Sequence, residues 1–313
     1  MAFDNYDIYF PHLNFGIKHL VNSVDVFGFR IAYYGIIIGI GMLLGVLIAS
    51  IDYKRRGKNP DDISDLALYG IIIAILGARA YYVLFEWSYY AQHPSEILNI
   101  RQGGLAIYGG IIAAVLVCIV FCKVRKIHFF DIADSAVLGL LIGQSVGRWG
   151  NFFNAEAFGG YTDNLLAMRI KEAIVNPNML NDDVLLNSTK INDVLYIQVH
   201  PTFFYESFWN LCTLLLLFFV VSPKKKFTGQ VFWSYVFFYG VGRFWIEGLR
   251  TDSLYIWGTH IAVSQALSGV LAIVAFGEIL YQLHKTKKEL SKADDGTVQE
   301  KEQEQVLKQD QAN

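Results

Sequence analysis

Seven apolar runs, at roughly 28–50, 63–85, 104–122, 131–149, 203–222, 230–249 and 259–283, constrain this chain more than any other feature. About 20 apolar residues coiled as a helix cross the hydrocarbon core of a bilayer, and each run is near or above that length. Composition agrees: 54% of the residues are hydrophobic and only 17% are charged, too little charge to clothe a soluble domain of 313 residues. The expectation is an all-α polytopic membrane protein with seven transmembrane helices.

The connections between the runs alternate in charge. "YKRRGK" (53–58), "KVRK" (123–126), "PKKK" (223–226) and "HKTKK" (284–288) fall on one side, whereas the loops of the other side are mostly aromatic and acidic. Basic loops stay in the cytoplasm. The pattern therefore predicts an outside N-terminus, a cytoplasmic C-terminus and an odd number of spans. It divides the chain into an extracytoplasmic arm (1–27), spans 1–4 (28–149), a small extracytoplasmic head domain (150–202), spans 5–7 (203–283) and a polar tail (284–313) that reads as disordered or loosely helical. The first residues lack a basic leader and a small-residue cleavage site, so the first span is expected to direct its own insertion.

Several chemistries are set aside. A net charge of -2 carries no basic excess for nucleic acid. Cys118, Cys122 and Cys212 lie in apolar runs and read as small hydrophobes. No His or carboxylate pair has ligand-like spacing with a third group, so no metal is expected. Asn187-Ser188-Thr189 matches a glycosylation triplet of a kind that chance often supplies.

Glycines repeat at a spacing of four: Gly139, Gly143 and Gly147 on the fourth run, Gly35/Gly39 and Gly41/Gly45 on the first. Small residues at this spacing let helix backbones approach. An ion inside hydrocarbon costs about 2.5 kcal/mol or more, so it marks function unless a partner accounts for it. Arg79, Arg148, Arg243 and Arg250 meet that test. Tyr239, Arg243, Glu247 and Arg250 form one stripe on the sixth run, and Arg148, Asn151, Asn154 and Glu156 form another at the end of the fourth. The first stripe reads either as a self-neutralising ladder or as part of an anion site, since guanidinium groups match phosphate bidentately. Asp131 and Asp134 read as helix caps. His200 and Glu206, in "HPTFFYE", border the same region.

At these residues the sequence resembles the prolipoprotein diacylglyceryl transferases, enzymes of the bacterial inner membrane. "GRWGNFFNAEAFGG" (147–160) is similar to that family's signature, and "YYGIIIG", "GGLAIYGG", "HPTFFYE" and "YGVGRFWIEGLR" follow in the family's order. The resemblance implies transfer of a diacylglyceryl group from phosphatidylglycerol to the lipobox cysteine of a preprolipoprotein signal peptide, with a thioether formed and glycerol phosphate released. It implies that Arg148 binds the lipid headgroup, that Asn151, Glu156 and Gly159 complete the motif, and that Arg243 is a second essential arginine. Tyr34, Tyr239, Glu247 and Arg250 match further site positions. One departure stands out: the family often has histidine where this chain has Tyr108. A phenol ordinarily ionises near pH 10 and is a poor base, so activation of the thiol by the arginines' field is expected instead. A channel or transporter, and a headgroup transferase with another nucleophile, are the alternatives.

Overall fold

A computed structural model of the chain describes residues 6–100, 103–259 and 261–310, with side chains described as far as Ser291. It divides into two compact units, His19–Glu156 and Met1–Lys18 with Ala157–Asn313. The chain is mostly helical, as the apolar runs require. Two small antiparallel sheets, which an all-α reading omits, complete it.

Strands β1 (Ile8–Phe10) and β2 (Phe15–Ile17) belong to the other unit, and in the unit His19–Glu156 strands β3 (Ser23–Val26) and β4 (Phe29–Ala32) form a hairpin. Phe27 and Gly28 turn it with φ of 50° and 81°, the two positive values that a tight two-residue turn demands. The hairpin takes the start of the first apolar run, so α1 begins only at Tyr33 and ends at Arg55. Helices α2 (Asp61–Phe85), α3 (Ile107–Arg125) and α4 (Phe129–Phe153) follow. Leu43, Leu84 and Val120 are among many large apolar side chains left bare on these helices, a surface that lipid rather than water accommodates.

The glycines decide how α1 meets α4. A Cβ on Gly45 would stand 2.8 Å from the Gly139 carbonyl oxygen, and one on Gly139 would stand 2.5 Å from that of Gly45. Gly41 meets Gly143 one turn further along, so the helices run antiparallel with backbones nearly touching. Gly35, Gly39 and Gly147 face open space, and the close-packing reading does not extend to them. Where α1 ends, the buried Asp52 accepts from Ser135 Oγ at 2.6 Å and pairs with Arg56 Nε at 3.0 Å. Arg56 also lies 3.9 Å from Asp134, and Lys58 lies 3.3 Å from Asp131. The two aspartates expected as caps are thus ion-pair partners, and His128, the residue before α4, caps it with no side-chain hydrogen bond.

In the other unit a five-stranded antiparallel sheet has the order β2-β1-β5-β7-β6, with β1 Ile8–Phe10, β2 Phe15–Ile17, β5 Met168–Lys171, β6 Thr189–Ile191 and β7 Val194–Val199. Ile8 faces Ile170, Ile170 faces Ile197, and all three are buried. Residues 8–17 of the expected N-terminal arm therefore share a sheet with the 150–202 segment, and Tyr196 donates its hydroxyl to the Tyr6 carbonyl at 2.9 Å. Helices α5 (Thr202–Leu216), α6 (Gln230–Glu247) and α7 (Val263–Asp310) follow, with the chain continuing helically past α5 through a wider turn at Leu217–Val221. The backbone of the polar tail is helical to Asp310, while its side chains beyond Ser291 lie outside the described residues.

Among the described residues six helices are long and apolar enough to cross a membrane: α1 to α4, α5 with its extension to Lys224, and the part of α7 up to Ser291. The chain is a polytopic membrane protein. Helix α6 stands where the sixth span is expected, but Gln230, Arg243 and Glu247 lower the mean hydropathy of its 18 residues, so it is not one of the six.

Candidate functional site

In the unit His19–Glu156 the signature residues gather where α4 ends. Arg148, half-buried, and Asn151 lie on its last turns. The chain then folds back so that Glu156 N–H donates to the Asn151 carbonyl at 3.0 Å. The Glu156 carboxylate receives Asn151 Nδ2 at 2.9 Å and Asn154 Nδ2 at 3.2 Å on the same oxygen, Oε1. This reversal places Ala155 at φ 50°, and Ala157 follows at φ 56°. Left-handed backbone at a residue with a Cβ costs on the order of 1–2 kcal/mol, and such strain concentrates at functional sites.

Tyr34, the second residue of α1, lays its ring on Gly150. A Cβ there would sit 2.5 Å from ring Cδ2, so any side chain at 150 would displace the tyrosine. Tyr108, the second residue of α3, is 55% exposed. Its neighbour Gly109 is pressed on the Gly77 backbone and Tyr81 of α2, which fixes the start of α3 with the phenol turned outward. Arg79 separates from the other arginines. It donates to the carbonyls of Glu96 and Ile97 at 2.7 Å and of Gly103 and Gly104 at 3.2 and 3.0 Å, clamping the loop before α3.

The other unit holds the second arginine cluster. Arg243 Nη2 pairs with Glu247 Oε2 at 2.6 Å, one turn along α6, and its Nη1 pairs with Glu206 Oε2 on α5 at 3.1 Å. Glu247 Oε1 also accepts from Ser253 Oγ at 2.8 Å and Ser264 Oγ at 2.6 Å. Arg250 does not continue the ladder to Glu247, because α6 ends there and the chain turns. It grips Asp252 bidentately at 2.9 and 2.7 Å. Burial pushes the Asp252 carboxyl up, but Arg250 outweighs it and holds the group below the usual carboxylate range. Tyr239 stacks on Tyr235 with centroids 5.5 Å apart.

Gly159 has a steric explanation. Its N–H donates to the His200 carbonyl at 2.9 Å and it bridges Arg250, so a Cβ would stand 2.7 Å from Leu249 O and 2.8 Å from His200 Cβ. His200 borders an open cavity of 440 Å³ with Leu165, Leu166, Trp245 and Leu249. Its Nδ1 lies 3.3 Å from the Tyr205 hydroxyl, which in turn accepts from Asn164 Nδ2 at 3.0 Å. Burial lowers the imidazole's pKa from its ordinary value.

The pattern of residues 22–281 matches the family model described as prolipoprotein diacylglyceryl transferase, which covers well over half of the chain. The chain belongs to that family. A phosphatidylglycerol–prolipoprotein diacylglyceryl transferase of Bacillus cereus (strain Q1) is 44% identical over 254 residues, which are 81% of this chain and 89% of the relative. The enzyme of the same name in Bacillus mycoides (strain KBAB4) is 43% identical over the same spans. Family membership accounts for the signature stretch. The family motifs do not by themselves reveal the pairing of Glu206 with Arg243, nor the partners Asp252, Ser253 and Ser264. "HPTFFYE" flags Glu206, yet no spacing rule joins it to a residue 37 positions away on another helix.

Proposed function

We propose that this chain transfers the diacylglyceryl group of phosphatidylglycerol to the lipobox cysteine thiol of preprolipoproteins, forming a thioether and releasing glycerol phosphate, the first step of lipoprotein lipidation. The observation that carries this reading is the family match, supported by Arg243 and Arg250, two half-buried guanidinium groups held in place by carboxylates near the end of an apolar helix. The displaced phosphate gains negative charge as its bond to the glyceryl carbon breaks. Guanidinium donors fixed by neighbours in a dry environment stabilise such charge more than water does. Arg148, with Asn151 and Glu156 beside it on the strained turn, is assigned to the headgroup. Arg243, with Tyr239 on the same helix, is assigned to the leaving phosphate. Tyr34 and Arg250 line the substrate path, and Gly159 keeps the backbone close. The nucleophile comes from the signal peptide, so the enzyme's own cysteines stay inert, and no cofactor is needed. Purified protein in detergent, given phosphatidylglycerol and a lipobox peptide, is expected to yield thioether-modified peptide. Ion flux without product would mark a channel, and lipid turnover without peptide modification another headgroup transferase.

In this reading the protein sits in the bacterial inner membrane with α6 as a seventh span, residues 150–202 outside as a head domain and the tail inside. Cysteine introduced at Asp182 is expected to react with an impermeant maleimide in intact cells, and cysteine at Asp294 only after lysis. Labelling of Asp294→Cys in sealed cells would reverse the orientation.

Tyr108 is assigned a hydrogen bond to the lipid ester or phosphate rather than the base's role. Tyr108→Phe is then expected to slow transfer by about three- to tenfold, as one lost hydrogen bond of roughly 0.5–1.5 kcal/mol predicts. Tyr108→His should keep measurable activity, because imidazole also donates. A dead Tyr108→Phe that still binds phosphatidylglycerol, with a native rate climbing toward pH 10, would make the phenol the base.

A further inference from the structure

The hairpin of β3 and β4 is divided sharply by polarity. Residues directly opposite in an antiparallel pair point to the same face. Val24 faces Ile31 and Val26 faces Phe29, so one face is wholly apolar, whereas Asp25 faces Arg30 on the other. The polar face is tied down within the hairpin: Arg30 donates from Nε to Ser23 Oγ at 2.8 Å and from Nη2 to Asn22 Oδ1 at 3.4 Å. The apolar face is bare. Val26 and Ile31 are exposed, Phe29 is 74% exposed, and Phe27 at the tip is 98% exposed. That turn position has positive φ and suits Asn or Gly, yet an aromatic ring stands there. A two-stranded ribbon is marginal in water, and one that shows its apolar face needs a partner to cover it.

The hairpin's place in the chain identifies that partner. Ala32 ends β4 and Tyr33 opens α1 with no linker between them, and the Tyr33 N–H donates to the Asn22 carbonyl at 2.9 Å. The hairpin is thus fastened to the first turn of a helix long and apolar enough to cross a membrane. Tyr33 and Tyr34 stand at that turn, and the exposed Trp149 stands where the antiparallel α4 ends, the residue types that favour a membrane–water interface. Four strand residues at about 3.3 Å each keep the tip within roughly 13 Å of this level. We propose that the β3–β4 hairpin lies in the membrane interface, with Val26, Phe27, Phe29 and Ile31 inserted among lipid acyl chains and Asp25 and Arg30 turned to the headgroups. Lipid already surrounds α1 at that level, so it covers the face without any further protein. The insertion bears on the site, and this part rests on the transferase reading above. Tyr33 packs on Phe153 with ring centroids 5.5 Å apart, and Tyr34 lies on Gly150, so the hairpin holds the end of α4, with Arg148 and Asn151, at headgroup depth.

Spin labels test the insertion. Cys118, Cys122 and Cys212 are replaced by Ala, and Asp25→Cys, Val26→Cys, Phe27→Cys and Phe29→Cys are made one at a time, labelled and reconstituted in vesicles containing phosphatidylglycerol. Relaxation is measured with oxygen, which concentrates among acyl chains, and with a nickel chelate, which stays in water. The labels at Val26, Phe27 and Phe29 are expected to meet oxygen and escape nickel, and the label at Asp25 to do the reverse. Nickel access at Phe27 and Phe29 equal to that at Asp25 would leave the hairpin in water, and shielding from both reagents would put protein on it; either overturns the proposal. Should the cysteine-free protein not fold, p-benzoylphenylalanine in place of Phe27 in the native chain is expected to give lipid adducts on irradiation, and adducts with protein alone, or none, are decisive against it. For the link to the site, Phe27→Ser with Phe29→Ser is expected to raise the KM for phosphatidylglycerol in vesicles with kcat unchanged, the pattern of lost positioning rather than lost chemistry. Phe27→Leu with Phe29→Leu should restore the native KM. An unchanged KM in the serine variant would sever the hairpin from Arg148 and overturn that part. Native protein that makes no thioether would instead defeat the transferase reading, while the collision pattern still decides the insertion.

Discussion

Arg148→Lys is expected to lower diacylglyceryl transfer by about two orders of magnitude while the protein still folds and inserts. Lysine keeps the positive charge but offers a point donor in place of a planar fork, and a bidentate grip on phosphate does not survive that exchange. Loss of one preorganised donor to a developing anion costs on the order of 10²–10³ in rate elsewhere. Arg148 is half-buried on the last turns of α4, beside Asn151, which is itself fixed to Glu156. The lysine ammonium would therefore stand in an environment shaped for guanidinium. Turnover measured with phosphatidylglycerol and a lipobox peptide decides the matter, and near-native turnover would show that net charge alone suffices.

Arg243→Met is expected to weaken the fold itself. Removal of the guanidinium leaves Glu206 and Glu247 buried with no cation between them, a situation that costs about 3–5 kcal/mol when one partner of a buried pair is deleted. Thermal unfolding in detergent should show a large drop, and adding Glu206→Gln should restore a substantial part of it, because the double variant buries one charge fewer. Activity should vanish in both. If Arg243→Met unfolds at the native temperature, the carboxylates are relieved by some means other than Arg243.

The helices were legible because lipid imposes one length and one composition on every span, and Arg243 with Glu247 was legible because helical spacing puts them one turn apart. The β-sheet was not. Its strands are three to six residues long, and Ile8 finds Ile170 only across the whole of the unit His19–Glu156. Helix ends were misread where backbone hydrogen bonds compete with hydropathy: Phe29–Ala32 is apolar enough for a span but pairs with Ser23–Val26. Arg79 and Arg250 show the limit of ranking charges by depth alone. Both are costly ions, yet loop carbonyls satisfy the first and Asp252 the second, and neither partner has a helical spacing to announce it. Ala155 and Ala157 are hidden for a different reason, since alanine carries no sign that its backbone has turned left-handed.

The pairing of β1 with β5 sets a schedule for biosynthesis. Ile8 leaves the ribosome about 160 residues before Ile170, and at 5–20 residues per second the first strands wait roughly ten to thirty seconds for the partner that completes their sheet. During that interval α1 to α4 are made and β1 has only β2 beside it, a two-stranded ribbon of marginal stability with an open edge. A segment made before α1 is thus among the last to reach its final partners, and a fusion that sequesters Ile8 would be felt at assembly rather than at insertion.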